Sequence, residues 1–282
     1  MFCVSKGSIH SSLGECIASW LTEGSVLIAL EAYFDGSNVG GWDNGKTVTL
    51  AGFAADDSVW QDVDKEWRRI LDDSSKRPQA EYLHMREAVH LEKEFSPHKG
   101  WTIAKVGGLV VELLNYLQHV DKQRFRMFWC TVDLDAHKRL RAEGLNLADP
   151  IQICIDCPTL VLDWFWVKWP GVIHAAHFFF DVDEPFRAPF EDKWKAESSL
   201  SFNGSDYFWS LLKTVTTAKM QDKPGLQAAD LIAWAVNRKF AVQKDAAFSG
   251  IEALMWNVIP SSSILWDEQK LREKLGRIHG TV

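Results

Sequence analysis

Four aspartates occupy positions from which they could act together on a metal ion. Asp35, Asp133 and Asp181 each follow an apolar segment with the length and composition of a buried strand. Asp230 falls within the apolar stripe of a helix predicted to begin near Gly225, so its carboxylate points inward and needs a basic group, backbone donors or a metal ion. Taken singly, each aspartate also fits an ordinary turn or a satisfied buried acid. The prediction of a site therefore depends on all four together.

The chemistry that such a set of carboxylates favours is metal-dependent hydrolysis. If the strands are neighbours, their carboxylates converge at one edge of a sheet and repel each other, and divalent cations relieve that repulsion. Hard oxygen ligands favour Mg²⁺ or Mn²⁺ over zinc, and a pair of such ions is a known device for cleaving phosphodiester bonds. We therefore predict a Mg²⁺ or Mn²⁺ site with Asp35, Asp133, Asp181 and Asp230 as ligands.

The elements that must position these residues follow from hydrophobic periodicity. Apolar runs and alternation predict strands at 26–34, 48–54, 125–132, 174–180 and 211–218. Helical spacing predicts helices beginning near Asp56 and near Gly225, and others at about 101–117, 151–166, 185–198 and 267–275. Pro158 should kink or split the helix at 151–166, Asp222 could cap the helix near Gly225, and the segment 82–87 fits either a strand or a helix start. This alternation predicts an α/β domain.

Four short stretches, in the same order along the chain, resemble a known family. They are Tyr-Phe-Asp-Gly-Ser at 33–37, Leu-His-Met-Arg-Glu at 83–87, Thr-Val-Asp-Leu-Asp-Ala-His at 131–137 and Gly-Leu-Gln-Ala-Ala-Asp-Leu at 225–231. With them the chain resembles the domain-of-unknown-function 3800 family, whose members look like RNase H-type proteins, over residues 26–240. The last stretch is the most specific.

The resemblance implies an RNase H-like mixed sheet flanked by helices and a nuclease or phosphodiesterase-type hydrolase. It assigns the catalytic roles to Asp35, Asp181 and Asp230, with Asp35 shared between two ions and Asp133 as a possible fourth ligand. One position departs from the family, because Gly36 stands where an acidic residue commonly follows the first aspartate. The alternative is therefore a catalytically degenerate RNase H-like module that binds nucleic acid or a protein partner.

Basic residues near the predicted site could bind the substrate, which would be RNA or DNA. Lys219 and Lys223 precede the helix predicted near Gly225, and His84 lies in the second stretch. The lysines also fit a solvated surface, and the histidine also fits a structural role. The formal net charge of −7 gives no general attraction to phosphate backbones, so a nucleic-acid partner would require such local contacts.

The remaining features of the sequence indicate a cytoplasmic protein. We expect an N-terminal extension at 1–24, an RNase H-like domain at 25–243 and a helical tail at 244–282. No apolar run reaches the length of a membrane span, and the N-terminus lacks the pattern of a signal peptide. The five cysteines include one Cys-x-x-Cys, at Cys154 and Cys157, without a second pair, which favours buried thiols over a zinc or redox site.

Overall fold

A six-stranded mixed sheet forms the centre of the protein. The computed structural model describes residues 28–38, 45–168, 173–199, 209–240, 248, 251 and 260–278. The strands are β1 Ile28–Ser37, β2 Thr47–Asp56, β3 Phe125–Asp133, β4 Ile173–Asp181, β5 Leu212–Ala218 and β6 Ser261–Trp266, in the spatial order β5-β4-β1-β2-β3-β6. Strand β2 runs antiparallel to β1 and β3, whereas the pairs β1–β4, β4–β5 and β3–β6 are parallel. The predicted α/β class and mixed sheet are confirmed.

Helices cover both faces of this sheet. They are α1 Asp57–Asp72, α2 Met85–His90, α3 Ile103–His119, α4 Leu134–Ala142, α5 Pro150–Cys154, α6 Asp156–Lys168, α7 Arg187–Ser199, α8 Pro224–Phe240 and α9 Glu268–Ile278. One core lies between the sheet and α1, α2, α3 and α8, and the other lies between the sheet and α4 to α7 with α9. The sheet is therefore the middle layer of three.

Alternation along β1 decides which side chains reach each core. Leu30 and Phe34 belong to the core on the α4–α7 side, whereas Tyr33 belongs to the core on the α8 side. Because side chains alternate along a strand, Asp35 shares the face of Tyr33 and lies under α8. The strand continues to Ser37, so Asp35 lies inside β1 rather than directly after it as the sequence predicted.

Most predicted elements are present, with local differences that have physical reasons. The segment 82–87 starts helix α2 at Met85. The long apolar helix is split as predicted, but the break falls at Ile155 and not at Pro158. Pro158 lies in the first turn of α6, where a backbone N–H would have no acceptor within the helix, so its missing N–H does not interrupt the helix. Helix α8 begins at Pro224, so Lys223 occupies the N-cap position that was predicted for Asp222.

The segment 244–282 contributes a strand that the periodicity did not predict. Strand β6 pairs with β3 at the edge of the sheet, and α9 follows it with Leu271 buried in the second core. The predicted extension at 1–24, and residues 26–27 of the first predicted strand, lie outside the described residues. Within the described part of the chain, no helix combines the length and apolar character that a membrane span requires.

Candidate functional site

Two of the predicted aspartates meet through the parallel pairing of β1 and β4. The register of this pair aligns Tyr33 with Phe179 and Phe34 with Phe180. The next residues along the two strands are Asp35 and Asp181, and parallel neighbours in register lie about 4.8 Å apart. Both carboxylates share the face of Tyr33 and Phe179, which is the face that α8 covers.

Helix α8 brings Asp230 down onto this pair. The helix packs closely on β1 because Gly225 has no side chain, and a Cβ there would lie 2.5 Å from Cδ2 of Tyr33. Asp230 is 7% exposed, and its Oδ2 accepts a hydrogen bond of 2.6 Å from the backbone N–H of Met85. Its carboxyl group is also hydrogen-bonded to Asp35. The inward-facing position that the helical stripe predicted is confirmed.

Glu184, which sequence reasoning did not select, supplies a fourth carboxyl group. It lies in the turn after β4, where Asp183 adopts a φ of 69° and turns the chain back towards β1. Its Oε2 accepts a 2.9 Å hydrogen bond from the N–H of Gly36, and its carboxyl group is hydrogen-bonded to Asp35. A Cβ at Gly36 would lie 2.8 Å from Oε1 of Glu184. The same Cβ would lie 2.5 Å from Cε2 of Phe186, so Phe186 and Glu184 together occupy the space that a side chain at position 36 would need.

Burial and like charge raise the pKa values of the four carboxyl groups. We call Asp35, Asp181, Glu184 and Asp230 the acidic cluster. Burial and the neighbouring carboxylates of Asp230, Glu184 and Asp181 raise the pKa of Asp35 well above its usual value. Burial raises the pKa of Glu184 to about 7 and that of Asp230 to about 6, and it also raises the pKa of Asp181. The cluster therefore retains protons near neutral pH, which a cation could displace.

His84 stands beside the cluster with a fixed orientation. Its Nδ1 lies 3.1 Å from Oε1 of Glu87, three residues later in the first turn of α2. Glu87 is buried and also accepts hydrogen bonds from the hydroxyl of Tyr82 and the ammonium of Lys93. His84 directly precedes Met85, whose N–H donates to Asp230, so its backbone lies next to the cluster. A positive charge on His84 would lower the pKa values of Asp181 and Asp230.

Asp133, predicted as a fourth ligand, lies apart from the other aspartates. It pairs with Thr47, whereas Asp35 pairs with Ala51, so the two are separated by two strands and four residue positions. These steps amount to roughly 10 Å across the sheet and roughly 13 Å along it. The carboxylate of Asp133 instead caps α4 by accepting a 2.9 Å hydrogen bond from the N–H of Ala136. An aspartate that stands between a strand and a directly following helix is well suited to cap that helix.

The two predicted substrate-binding lysines differ in their surroundings. Lys219 is exposed and lines a surface cleft with Asp181, Val182, Gln221 and Asp222. The ammonium of Lys223 lies 5.3 Å from the centroid of the Phe179 ring and interacts with Asp64 on α1. Lys219 is therefore the better placed of the two to meet a ligand at the acidic cluster.

The donor set of the acidic cluster fits a hard divalent cation. All four groups offer carboxylate oxygens, the ligands that Mg²⁺ and Mn²⁺ prefer. Across the described ranges, however, no three His, Cys, Asp or Glu side chains already stand in a metal-binding arrangement.

Comparison with known proteins does not assign the chain to a family. The chain matches no protein-family model, and no curated protein matches it significantly. The function must therefore be inferred from the geometry and chemistry of the acidic cluster and its neighbours.

The close approach at Gly225 leads to a stability prediction. Gly225→Ala should lower the free energy of unfolding by about 1–3 kcal/mol, because the methyl group would overlap a Tyr33 ring that is held between Trp60 and Phe179. Gly108→Ala, inside α3 with no atom within 4 Å of the new Cβ, is the matched control and should be neutral or stabilising by up to about 1 kcal/mol. Urea unfolding measures both, and an unchanged stability of the Gly225 variant would contradict the tight packing of α8 on β1.

Proposed function

We propose that this chain is a Mg²⁺- or Mn²⁺-dependent hydrolase of nucleic-acid phosphodiester bonds with an RNase H-like fold. The observation that carries the proposal is the acidic cluster, in which β1, the end of β4, the following turn and α8 each contribute a buried or half-buried carboxyl group. Acids from the first strand, a later strand and a late helix are what the resemblance to the domain-of-unknown-function 3800 family implies. The hydrogen bond from the N–H of Gly36 to Glu184 supports catalytic competence, since it holds a carboxylate close to the position at which that family commonly has an acid.

Residues of the chain have distinct parts in this proposal. Asp35, Asp181, Glu184 and Asp230 would hold the ions, and the N–H groups of Gly36, Met85 and Met220 orient three of these carboxylates by hydrogen bonding. The bound ions would supply activation of a water molecule and stabilisation of the leaving oxygen. His84, held by its contact with Glu87, would contact the phosphate. Lys219 would hold a neighbouring phosphate at the mouth of the cleft.

The second candidate function is a non-catalytic module that binds nucleic acid or a protein partner. The formal net charge of −7 favours it, because an acidic protein opposes the approach of a polyanion that it must bind for catalysis. The two functions differ in whether the acidic cluster binds divalent cations in the absence of any substrate.

Calorimetry and a cleavage panel separate the two functions. Titration of the protein with Mn²⁺ at pH 7.5 should give heat and proton release, because the ions displace protons from carboxyls with raised pKa values. Single- and double-stranded DNA and RNA should then be incubated with Mg²⁺ and with Mn²⁺. Metal binding with cleavage of at least one substrate class supports the hydrolase. Tight binding of a nucleic acid without metal binding or cleavage supports the module.

Lys219 should contribute to binding through its charge. With Ca²⁺ in place of Mg²⁺, Lys219→Gln should weaken substrate binding and reduce the slope of log affinity against log salt by about one. Lys223→Gln is the matched control, since that ammonium is already engaged over Phe179, and it should leave the slope nearly unchanged. Equal slopes for the wild type and the Lys219 variant would remove Lys219 from the substrate path.

A further inference from the structure

Gln227 is a buried polar side chain that connects three separate parts of the fold. It lies on α8 three residues before Asp230 and is 1% exposed. Its Oε1 accepts hydrogen bonds from the indole Nε1 of Trp67 on α1, at 2.8 Å, and from the N–H of Leu83, at 2.9 Å. Its Nε2 donates a 3.0 Å hydrogen bond to the carbonyl of Met220. All the polar atoms of this side chain are thus paired inside the protein.

Two of these partners lead directly to the acidic cluster. Leu83 lies two residues before Met85, whose N–H donates to Oδ2 of Asp230 at 2.6 Å. Met220, whose carbonyl accepts from Gln227, uses its own N–H to donate to Oδ1 of Asp181 at 3.1 Å. The amide of Gln227 therefore fixes both backbone segments that hold these two carboxylates.

We propose that Gln227 is the positioning residue of the acidic cluster, setting the separation of Asp181 and Asp230 through the backbone at Met220 and Met85. The inference deepens the proposed function, and its part concerning metal affinity rests on that function. The side chain type is physically restricted. The site needs one oxygen that accepts twice and one nitrogen that donates, without adding charge beside four carboxyl groups, and a neutral primary amide meets all of these conditions.

Amide exchange in protein labelled with ¹⁵N-methionine tests the positioning directly. The chain has five methionines, and three of them report on the relevant places. The N–H groups of Met85 and Met220 are the donors to Asp230 and Asp181, whereas the N–H of Met127, in β3, bonds to Pro260 and serves as an internal reference. Gln227→Leu should speed exchange at Met85 and Met220 by about tenfold or more relative to Met127.

Metal affinity in the same variant supplies the second readout. If the cluster binds Mn²⁺, Gln227→Leu should weaken that binding by about 10- to 100-fold, as expected when a residue that orients ligands is lost. Ile232→Val is the matched control, because Ile232 is fully buried on the same helix and carries no polar side-chain atom. It should leave both the affinity and the ratio of exchange rates unchanged. Gln227→Asn, which keeps the amide on a shorter side chain, should change both readouts in the same direction and replaces the leucine variant if that protein does not fold.

The outcomes separate this inference from the proposed function. Exchange that accelerates equally at Met85, Met220 and Met127 would mean general destabilisation and would overturn the positioning role. Unchanged exchange at Met85 and Met220, or a wild-type Mn²⁺ affinity in a folded Gln227 variant, would overturn it as well. A wild-type protein that binds no Mn²⁺ would defeat the proposed function, while the exchange rates would still decide the role of Gln227.

Discussion

Asparagine in place of Asp35 is expected to lower metal-dependent cleavage by about 10³-fold or more, the scale on which one member of a catalytic unit acts. The carboxyl group of Asp35 interacts with those of Glu184, Asp230 and Asp181, so it is the central acid of the cluster. An amide keeps its size but offers one neutral oxygen in place of a carboxylate. Initial rates in Mg²⁺ and in Mn²⁺, on whichever substrate the wild type cleaves, measure the effect.

Asp133→Asn is the control for this experiment. Asp133 also follows a strand and was selected by the same sequence pattern, but it caps α4, and asparagine is as good a cap as aspartate. Its activity should stay near that of the wild type. Substrate binding in Ca²⁺ should change little in either variant, because the contacts to phosphate come from other residues. Full activity of the Asp35 variant would remove the acidic cluster from catalysis.

The sequence predicts the position of an acid of the candidate site well where periodicity determines the direction of its side chain. Asp230 falls inside a helical stripe, so its side chain had to face the interior, and Asp181 ends an apolar strand, which places it at the edge of the sheet. Parallel pairing of β1 and β4 then brings Asp35 and Asp181 together, although their separation in sequence gives no sign of it. Three residues of the stretch 225–231 are explained by the same packing. Gly225 permits the contact with Tyr33, and Gln227 and Asp230 hold the backbone at 83–85.

Residues in turns and at the sheet edge could not be predicted in this way. Glu184 lies in a turn whose direction depends on the positive φ of Asp183, and no periodic signal marks it. The acidic run Asp-Val-Asp-Glu at 181–184 and the bare Gly36 are the signals that could have suggested it. Strand β6 was missed because it begins with three serines and is only half-buried at the edge of the sheet. Asp133 was placed in the site because an aspartate that caps a helix and one that binds a metal look alike after a strand.

The metal-free protein should become less stable as the pH rises from about 4 to about 7. Asp35, Glu184 and Asp230 have folded-state pKa values above their unfolded values of about 4, with Glu184 at about 7 and Asp230 at about 6. Between these limits the folded state binds more protons than the unfolded state, so the free energy of unfolding falls with increasing pH. The loss should be on the order of 3 kcal/mol, since the groups share protons and their effects do not add. Acids with lowered pKa values, such as Asp56 beside Arg124, act in the opposite direction only below about pH 4.

Urea unfolding in EDTA at pH 5, 6, 7 and 8 gives this dependence, and Asp35→Asn supplies its test. The amide of asparagine keeps donors towards Glu184 and Asp230 and cannot become a buried negative charge beside them, so the variant should be more stable than the wild type at pH 7.5 and its stability should vary less with pH. Saturating Mn²⁺ should stabilise the wild type and remove most of the variant's advantage, because a bound ion favours the folded state and replaces the shared protons. Two results would contradict this account: a metal-free wild type that gains stability between pH 5 and 7, or an Asp35 variant that is less stable than the wild type at pH 7.5. Either would show that burial and charge repulsion among the carboxyl groups do not destabilise the folded state.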